Sequence, residues 1–366
     1  MNYYILPKFN NKIKLLPKIN ENIIQPYISQ TLLLYFNKII EEINKLKINE
    51  KDNEIFKIVN PYQYIFSKVP GTTFSVSKIK TKSMMFYELY EIFQTTNLLE
   101  SFKFDIMNSL IVGANYEDSL ECLEMLRENY NIDKFFCFYE YSSKLHNCIE
   151  KNKFNFVIYE LNTHDNINLY VINLIELVII IFNQLKENSI VILKINNLFH
   201  KPILEILYLL NSLFEKTFII KPNTSDVTSF DKYVVLQHLK ITCNDFDLFL
   251  NYNTILSELI TKYINTDATT ETSINDDIYK KSHVNIQSII NIELPYYFLN
   301  KIDDINIIIG QQQLDALNQL INLLKSKNSE DKIETIKKSN IQKCVNWCEK
   351  FKIPCNKFSD KINIFS

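Results

Sequence analysis

Ionisable residues end two of the most apolar segments of the chain. Glu160 follows the segment 154–159, and Lys194 lies near the end of the almost continuous aliphatic segment 189–195. A buried lysine beside carboxylates can transfer protons when its pKa is depressed, whereas a surplus of acids keeps it a protonated ammonium. These residue types therefore allow acid–base chemistry. The alternative interpretation is a lysine that simply carries its charge into solvent at the end of a strand.

Three cysteines near the C-terminus raise the question of a metal site. Cys344 and Cys348 are four residues apart on a predicted helix, and Cys355 follows seven residues later. A structural zinc site needs four ligands, and the surrounding sequence offers neither a fourth thiol nor a histidine. We therefore predict no metal and interpret the segment as a packed helix anchored by Trp347. The 7 cysteines, spread thinly through 366 residues, indicate free thiols in a reducing compartment.

Alternating helices and short apolar strands must position these side chains. The predicted strands are residues 109–112, 135–138, 154–159, 189–195, 217–220 and 232–236. Strands that are buried on both faces and separated by helices imply a parallel, doubly wound sheet. We predict an α/β fold with a Rossmann-like, mostly parallel sheet over residues 81–245. A helical and loop region over 1–80 and a mainly helical extension over 246–366 complete the predicted organisation.

Composition excludes several kinds of site. The chain has 3 glycines in 366 residues, so no glycine-rich phosphate or cofactor loop can be built. Arg127 is the single arginine, which leaves lysine point charges in place of bidentate guanidinium forks. A net charge of −2 gives no overall attraction to polyanions, so nucleic-acid affinity must come from a local patch. The abundance of Lys, Asn and Ile is typical of AT-rich genomes, such as those of many large DNA viruses and some parasites.

We predict neither a signal peptide nor a membrane-spanning helix. Residues 1–16 mix Lys and Asn with apolar residues, unlike the continuous apolar core of a signal peptide. The most apolar stretch, residues 169–185, is interrupted by Asn173, Glu176 and Asn183, and we predict a buried helix there. The prediction is a cytoplasmic protein without a membrane partner.

The order of these elements and three short signatures resemble the FtsJ-like ribose 2′-O-methyltransferases, most closely the cap-directed members found in large DNA viruses. The first signature is residues 188–202, in which a strand ends in a lysine and is followed by a loop and a helix. The second is the pair of segments 218–225 and 229–235, which carry a Lys-Pro, a Ser and a Ser-x-Asp-x-Tyr run. The third is residues 83–89, at the start of a predicted helix. The resemblance covers about residues 80–240.

The resemblance implies catalytic positions that this sequence keeps only in part. Lys194 matches the family's catalytic lysine, Glu160 stands where the family has Asp, and Asp231 stands where it has Glu. The family's first lysine falls at Glu88, which reverses the charge. In the family, a lysine with a depressed pKa helps to remove the proton of a ribose hydroxyl. One lysine among three acids favours a protonated ammonium instead.

The resemblance also implies a methyl donor, S-adenosylmethionine, beside the first strand of the sheet. The family has a glycine pair in the loop after that strand, whereas this chain has Gly113 followed by Ala, Asn, Tyr116 and Glu117. We predict that Tyr116 and Glu117 bring bulk and negative charge into the space of the donor. Gly113 is a predicted cofactor-binding residue, together with Glu140, which stands where such folds place an acid for the ribose hydroxyls.

Lysines are candidates for RNA binding near the same edge of the sheet, since phosphates require charge but no particular base contact. They are Lys78, Lys80, Lys82, Lys201 and Lys221. Three of them alternate within residues 77–82 and would share one side of an extended segment. The alternative interpretation is a set of scattered surface lysines.

Three functions follow from the resemblance. The first is a degenerate, inactive cap methyltransferase fold that acts as an RNA-binding or assembly subunit of a viral mRNA-processing apparatus, located in the host cytoplasm, a viral factory or the virion. The second is a working cap 2′-O-methyltransferase that uses S-adenosylmethionine. The third is a structural or virion interaction protein that does not bind RNA. The predicted partners are capped RNA and another protein subunit, without DNA sequence specificity, and a cofactor is predicted only for the working enzyme.

Overall fold

Helices and short strands alternate through the centre of the chain, as predicted. The computed structural model describes residues 2–8, 13–46, 52–130, 132–139, 153–161, 166–240, 246–268, 284–326 and 330–356; Glu140 lies outside them. The strands are β1 (Asn2–Ile5), β2 (Leu15–Asn20), β3 (Asn108–Val112), β4 (Lys134–Phe138), β5 (Phe154–Glu160), β6 (Leu185–Ile195), β7 (Phe214–Lys221), β8 (Lys232–Leu239) and β9 (Asn285–Ile290). The helices are α1 (Gln30–Lys45), α2 (Asn53–Val59), α3 (Met85–Thr96), α4 (Tyr116–Leu126), α5 (Ile167–Gln184), α6 (Lys201–Leu213), α7 (Phe246–Ala268), α8 (Tyr296–Lys325) and α9 (Glu330–Lys350).

Within the described residues, seven strands form one sheet in the order β1-β7-β8-β6-β5-β3-β4. Neighbours among β4, β3, β5 and β6 are parallel, and β8 runs antiparallel between β6 and β7. Since β1 is antiparallel to β7, five strands share one direction and two oppose it. The predicted α/β class is confirmed, with a mixed, mostly parallel sheet that is compatible with a Rossmann-like fold. The strand β1 was not predicted.

Alternate residues of the central strands face two helical layers, which is why these strands read as continuous apolar runs. Val157 and Leu193 belong to a core that includes residues of α5, α6, α7 and α8, which we call the α6 layer. Ile158 and Ile192 belong to a core that includes residues of α3, α4 and α9, which we call the α3 layer. Helices therefore cover both faces of the sheet, and polar side chains collect at the ends of the strands.

Among the described residues, α5 is the one helix long and apolar enough to cross a membrane by length and composition. However, 67% of it is buried inside the protein, where Val171, Ile175 and Val178 pack in the core of the α6 layer. This position agrees with the predicted buried helix.

The single arginine has a structural role. The Arg127 guanidinium donates to the Asp133 carboxylate through two nitrogens, at 2.6 and 2.9 Å, and both side chains are almost fully buried. A third nitrogen donates to the carbonyl oxygen of Phe102 at 2.7 Å. Arg127 thus joins the end of α4 to the 3₁₀ helix Leu98–Phe102 and to the start of β4, and its donors are not available to a ligand.

Segments outside residues 81–245 join the central unit at both ends of the chain. β1 extends the sheet beside β7, and β2 pairs with β9 in a two-stranded sheet. α9 packs in the α3 layer, where the Trp347 ring lies 5.9 Å from the Tyr87 ring and 4.8 Å from the Phe351 ring. The predicted packed helix anchored by Trp347 is therefore confirmed.

Candidate functional site

The sheet changes its direction of winding between β3 and β5. The chain leaves β3 for β4 on one side, whereas β5 lies on the other side of β3. In open α/β sheets, ligands bind in the crevice outside the carboxyl ends of the strands at such a point. Gly113 and Asn115 follow β3, and Glu160 is the last residue of β5, so these three residues occupy this position.

Hydrogen bonds bridge this crevice. The Glu160 carboxylate accepts from the Asn115 backbone N–H at 2.9 Å and from the Asn115 side-chain amide at 2.9 and 3.1 Å. Gly113 lies so close that an added Cβ would stand 2.4 Å from the Glu160 Cβ, and its φ is +148°. Only glycine adopts this backbone conformation without strain and leaves room for the Glu160 side chain. The loop after β3 and the end of β5 are therefore in direct contact.

Gly113→Ala is expected to lower the free energy of unfolding by roughly 2–3 kcal/mol, because the strained φ and the clash with Glu160 act together. Chemical denaturation at neutral pH measures the change. Gly71→Ala is the matched control, since its φ of +77° is also positive but no atom lies within 4 Å of the added Cβ. Only the backbone cost of about 1–2 kcal/mol then remains. Equal losses for the two substitutions would contradict the close approach of Gly113 to Glu160.

Beside the bridge, one row of ionisable residues crosses three strands. In the register of the sheet, Glu160 of β5 pairs with Lys194 of β6, and Lys194 pairs with Tyr233 of β8. Lys194 Nζ lies 3.3 Å from Glu160 Oε1 and 3.8 Å from Oε2 of Glu88, which belongs to α3. The Tyr233 hydroxyl donates to the same Glu88 oxygen. We call Glu88, Glu160, Lys194 and Tyr233 the Lys194 cluster.

The electrostatics of the cluster keep its lysine charged. Burial alone lowers the pKa of Lys194, but the carboxylates of Glu88, Glu160 and Asp231 outweigh this effect and raise the pKa above the ordinary lysine value. Burial, reinforced by Glu88, raises the pKa of the Tyr233 hydroxyl as well. Both groups therefore stay protonated at neutral pH. This arrangement agrees with the predicted ammonium among acids, with Glu88 and Glu160 as its direct partners and Asp231 acting through its charge.

Known proteins offer no identification of this site. No protein-family model matches the chain, and no curated protein matches it. In the part of the chain that the structure describes, no group of three or more His, Cys, Asp or Glu side chains could hold a metal ion.

Tyr116 and Glu117, which were predicted to bring bulk and charge into the donor space, lie in different surroundings. Tyr116 opens α4 and packs against the core of the α3 layer. The Glu117 carboxylate is half exposed and forms an ion pair with Lys82. α4 begins at Tyr116, and its first turn directs the two side chains to the α3 layer and to the surface. The crevice is instead bridged by Asn115, which the sequence analysis did not select.

Two of the lysines predicted to bind RNA are engaged within the protein. Lys221 Nζ donates to the carbonyl oxygens of Ser229 and Asp231 at 2.7 and 3.0 Å, and burial lowers the pKa of Lys221 to about 8. Its ammonium closes the loop between β7 and β8, which corrects its prediction as a groove lysine. Lys201 begins α6 and lies 3.8 Å from Glu205, so it belongs to the opposite layer from α3.

A buried carboxylate fixes the loop that follows β7. Glu91 of α3 accepts from the backbone N–H groups of Asn223 and Thr224, both at 3.2 Å, and from the Thr224 hydroxyl at 3.1 Å. It also accepts from the indole N–H of Trp347 in α9, at 3.3 Å. One side chain thus ties the second sequence signature to both α3 and α9.

Two of the three remaining predicted lysines lie at a cavity of about 660 Å³ beside the segment that precedes α3. Lys78 and Lys80 line this cavity, and so does Lys68, which the sequence analysis did not select. Lys82 is not among its lining residues. A turn with a φ of +77° at Gly71 folds Lys68 back towards the other two lysines. The Pro-Gly dipeptide at this turn was the sequence signal that could have placed Lys68 near the other two lysines.

Proposed function

We propose that the protein is a non-catalytic relative of the cap ribose 2′-O-methyltransferases and serves as an RNA-binding or assembly subunit of a cytoplasmic mRNA-processing apparatus. The observation that carries the proposal is the ion pairing of Lys194 with Glu88 and Glu160. Removal of a proton from a ribose hydroxyl needs an unprotonated base. An ammonium held by two buried carboxylates cannot accept that proton.

The crevice at the end of β3 supports the same proposal. The methyl donor would have to lie where Asn115 and Glu160 are hydrogen-bonded to each other. The family's glycine pair lets the backbone approach the donor, whereas this loop has the single glycine Gly113. These residues do not suit S-adenosylmethionine, and the proposed function therefore includes no methyl transfer.

Exposed side chains support a binding role. Lys78 and Lys80 are exposed and offer positive charge to phosphates. On α1, Leu34 and Tyr35 are 61% and 54% exposed, and Ile307 of α8 is 50% exposed. Apolar side chains on the surface of helices suit contact with another protein subunit.

Calorimetric titration with S-adenosylmethionine tests the catalytic half of the proposal. The expected result is no heat of binding at millimolar donor and no transfer of a labelled methyl group to capped RNA. Titration of a working cap methyltransferase with the same S-adenosylmethionine checks that the donor is intact. Micromolar binding, or a methylated ribose 2′-hydroxyl, would overturn the proposal in favour of an active enzyme.

Salt dependence tests the RNA-binding half. Single-stranded binding weakens with salt by about 0.7 logarithmic units per tenfold change in salt for each phosphate contact. Contacts from three lysines therefore predict roughly 20-fold weaker binding at 200 mM than at 50 mM salt. Fluorescence anisotropy with a labelled single-stranded RNA measures this change. No binding at 50 mM salt would exclude the RNA-binding role and leave the interaction protein.

A further inference from the structure

The lysine-lined cavity has the size of a ligand site. Its volume of about 660 Å³ lies within the roughly 300–1,000 Å³ that is usual for small-molecule sites. Residues that precede α3 form most of its wall, and Asn356 contributes the rest. None of its lining residues belongs to the Lys194 cluster, so it is a separate site.

Hydrogen bonds fix the wall of the cavity. The Asn356 side-chain amide donates to the carbonyl oxygen of Ser75 at 2.9 Å. The backbone N–H of Lys78 donates to the carbonyl oxygen of Pro354 at 2.8 Å. The chain after α9 thus holds the lysine-bearing segment in place, and a preformed site loses less conformational entropy when a ligand binds.

Positive charge around the cavity is not neutralised by a carboxylate of the described residues. Lys68, Lys78 and Lys80 line it, and no carboxylate does so among the residues described. In the same part of the chain, none of these three lysines forms an ion pair, whereas the neighbouring Lys82 pairs with Glu117. Three ammonium groups around one cavity attract an anion with more than one charge.

Aromatic rings complete the wall. Phe66 and Phe74 line the cavity together with the lysines. Aromatic rings stack on nucleic-acid bases, and this contact tolerates any sequence because every base has a π-face. A small inorganic anion would make no use of such rings. Rings beside lysines suit a molecule that carries both a planar base and a phosphate.

We propose that this cavity binds a phosphorylated nucleoside, with its phosphate, and in RNA the phosphates next to it, on Lys68, Lys78 and Lys80 and its base against Phe66 or Phe74. One nucleotide of a single-stranded RNA supplies this group, and this source rests on the function proposed above. A free nucleotide is the other source of the same chemistry, so both are needed in the test.

Two ligands and two pairs of variants test the cavity in the full chain. The ligands are a six-nucleotide oligouridylate and uridine 5′-monophosphate. Lys78→Glu/Lys80→Glu is expected to weaken RNA binding at least tenfold and to reduce the salt slope by about 1.4, which is 0.7 for each lysine. The matched control is Lys14→Glu/Lys18→Glu, which changes the net charge equally at exposed positions near β2 and is expected to leave RNA binding within twofold.

The second pair of variants tests the ring. Phe74→Ala is expected to weaken binding of both ligands by about 5- to 100-fold, and Phe74→Tyr, which keeps a ring, is expected to retain binding. Circular dichroism checks that each variant folds. Photocrosslinking of the oligonucleotide through 4-thiouridine is expected to label the peptide that contains Phe66 or Phe74.

The outcomes separate the cavity from the proposed function. If Lys78→Glu/Lys80→Glu binds RNA as strongly as the wild type and the crosslinks lie outside the cavity, the cavity is not the RNA site. The RNA-binding function then remains. Binding of uridine 5′-monophosphate without binding of RNA overturns the RNA-binding function and supports the cavity. An unchanged affinity in Phe74→Ala, with equal competition by inorganic phosphate, overturns the nucleoside assignment.

Discussion

Lys194→Met is expected to lower the free energy of unfolding by about 3–5 kcal/mol, because it leaves two buried carboxylates without their cation. The side chains of Glu88 and Glu160 are 7% and 11% exposed, and they lie 3.8 and 3.3 Å from Lys194 Nζ. A lysine held only for catalysis would behave differently, since its loss would abolish activity with little change in stability. Urea unfolding at pH 7, followed by circular dichroism, measures the difference.

Two variants calibrate this measurement. Lys134→Met removes an exposed lysine of β4 and is expected to change stability by less than about 0.5 kcal/mol. Glu88→Gln/Glu160→Gln/Lys194→Met removes the lysine and both carboxylates that pair with it, and it is expected to recover most of the loss, because neither direct partner of Lys194 keeps a charge. If Lys194→Met proved as stable as Lys134→Met, the ion pairing would not hold the site together and catalysis would again explain this lysine.

Lys232→Met is expected to stabilise the protein by roughly 3–5 kcal/mol at pH 7. Lys232 is 1% exposed, and its ammonium has no hydrogen-bond partner among the described residues. Burial lowers the pKa of Lys232 to about 7. Methionine is a flexible apolar side chain that adapts to irregular core space without a charge, so it removes the desolvation cost.

The pH dependence of this effect has a definite sign. In the unfolded chain a lysine keeps its proton up to a pKa of about 10.4. In the folded protein, Lys232 loses it above a pKa of about 7. Unfolding between these values takes up a proton, so the wild type becomes more stable as the pH rises, by up to about 1.4 kcal/mol per pH unit. The advantage of Lys232→Met therefore shrinks between pH 7 and 10.

Thermal and urea unfolding at several pH values measure this window. Lys216→Met, at an exposed position of β7, is the control and is expected to show no such pH dependence relative to the wild type. Two results would contradict a lowered pKa of the buried Lys232. One is a gain in stability of Lys232→Met that stays constant from pH 7 to 10, and the other is a loss of stability at pH 7.

Aliphatic runs were enough to locate the strands that build the Lys194 cluster. Residues 154–159 and 189–195 lie within β5 and β6. Continuous apolar runs carry this information because both faces of the sheet are buried. The resemblance, which places Glu160 and Lys194 in one catalytic centre, predicted that these two residues lie close together.

Contacts between distant segments could not be predicted in this way. β1 has four residues, and no local pattern indicates that it pairs with β7, about 210 residues away. Lys221 reads as a lysine at the end of a strand, and only the folded loop brings the carbonyl oxygens of Ser229 and Asp231 to it. Tyr116 lies in the predicted cofactor loop, but the start of α4 packs its side chain against the α3 layer. These features depend on tertiary packing and not on local propensity.

The Glu91 carboxylate of α3 accepts from the Trp347 indole of α9, so this contact can form only after α9 has been synthesised. α9 begins about 230 residues after α3 ends, so translation at about 5–20 residues per second separates them by roughly 10–50 s. Throughout this interval the nascent chain displays Tyr87 and Tyr90 without the indole that later covers them. The core of the α3 layer is consequently incomplete until α9 has been translated.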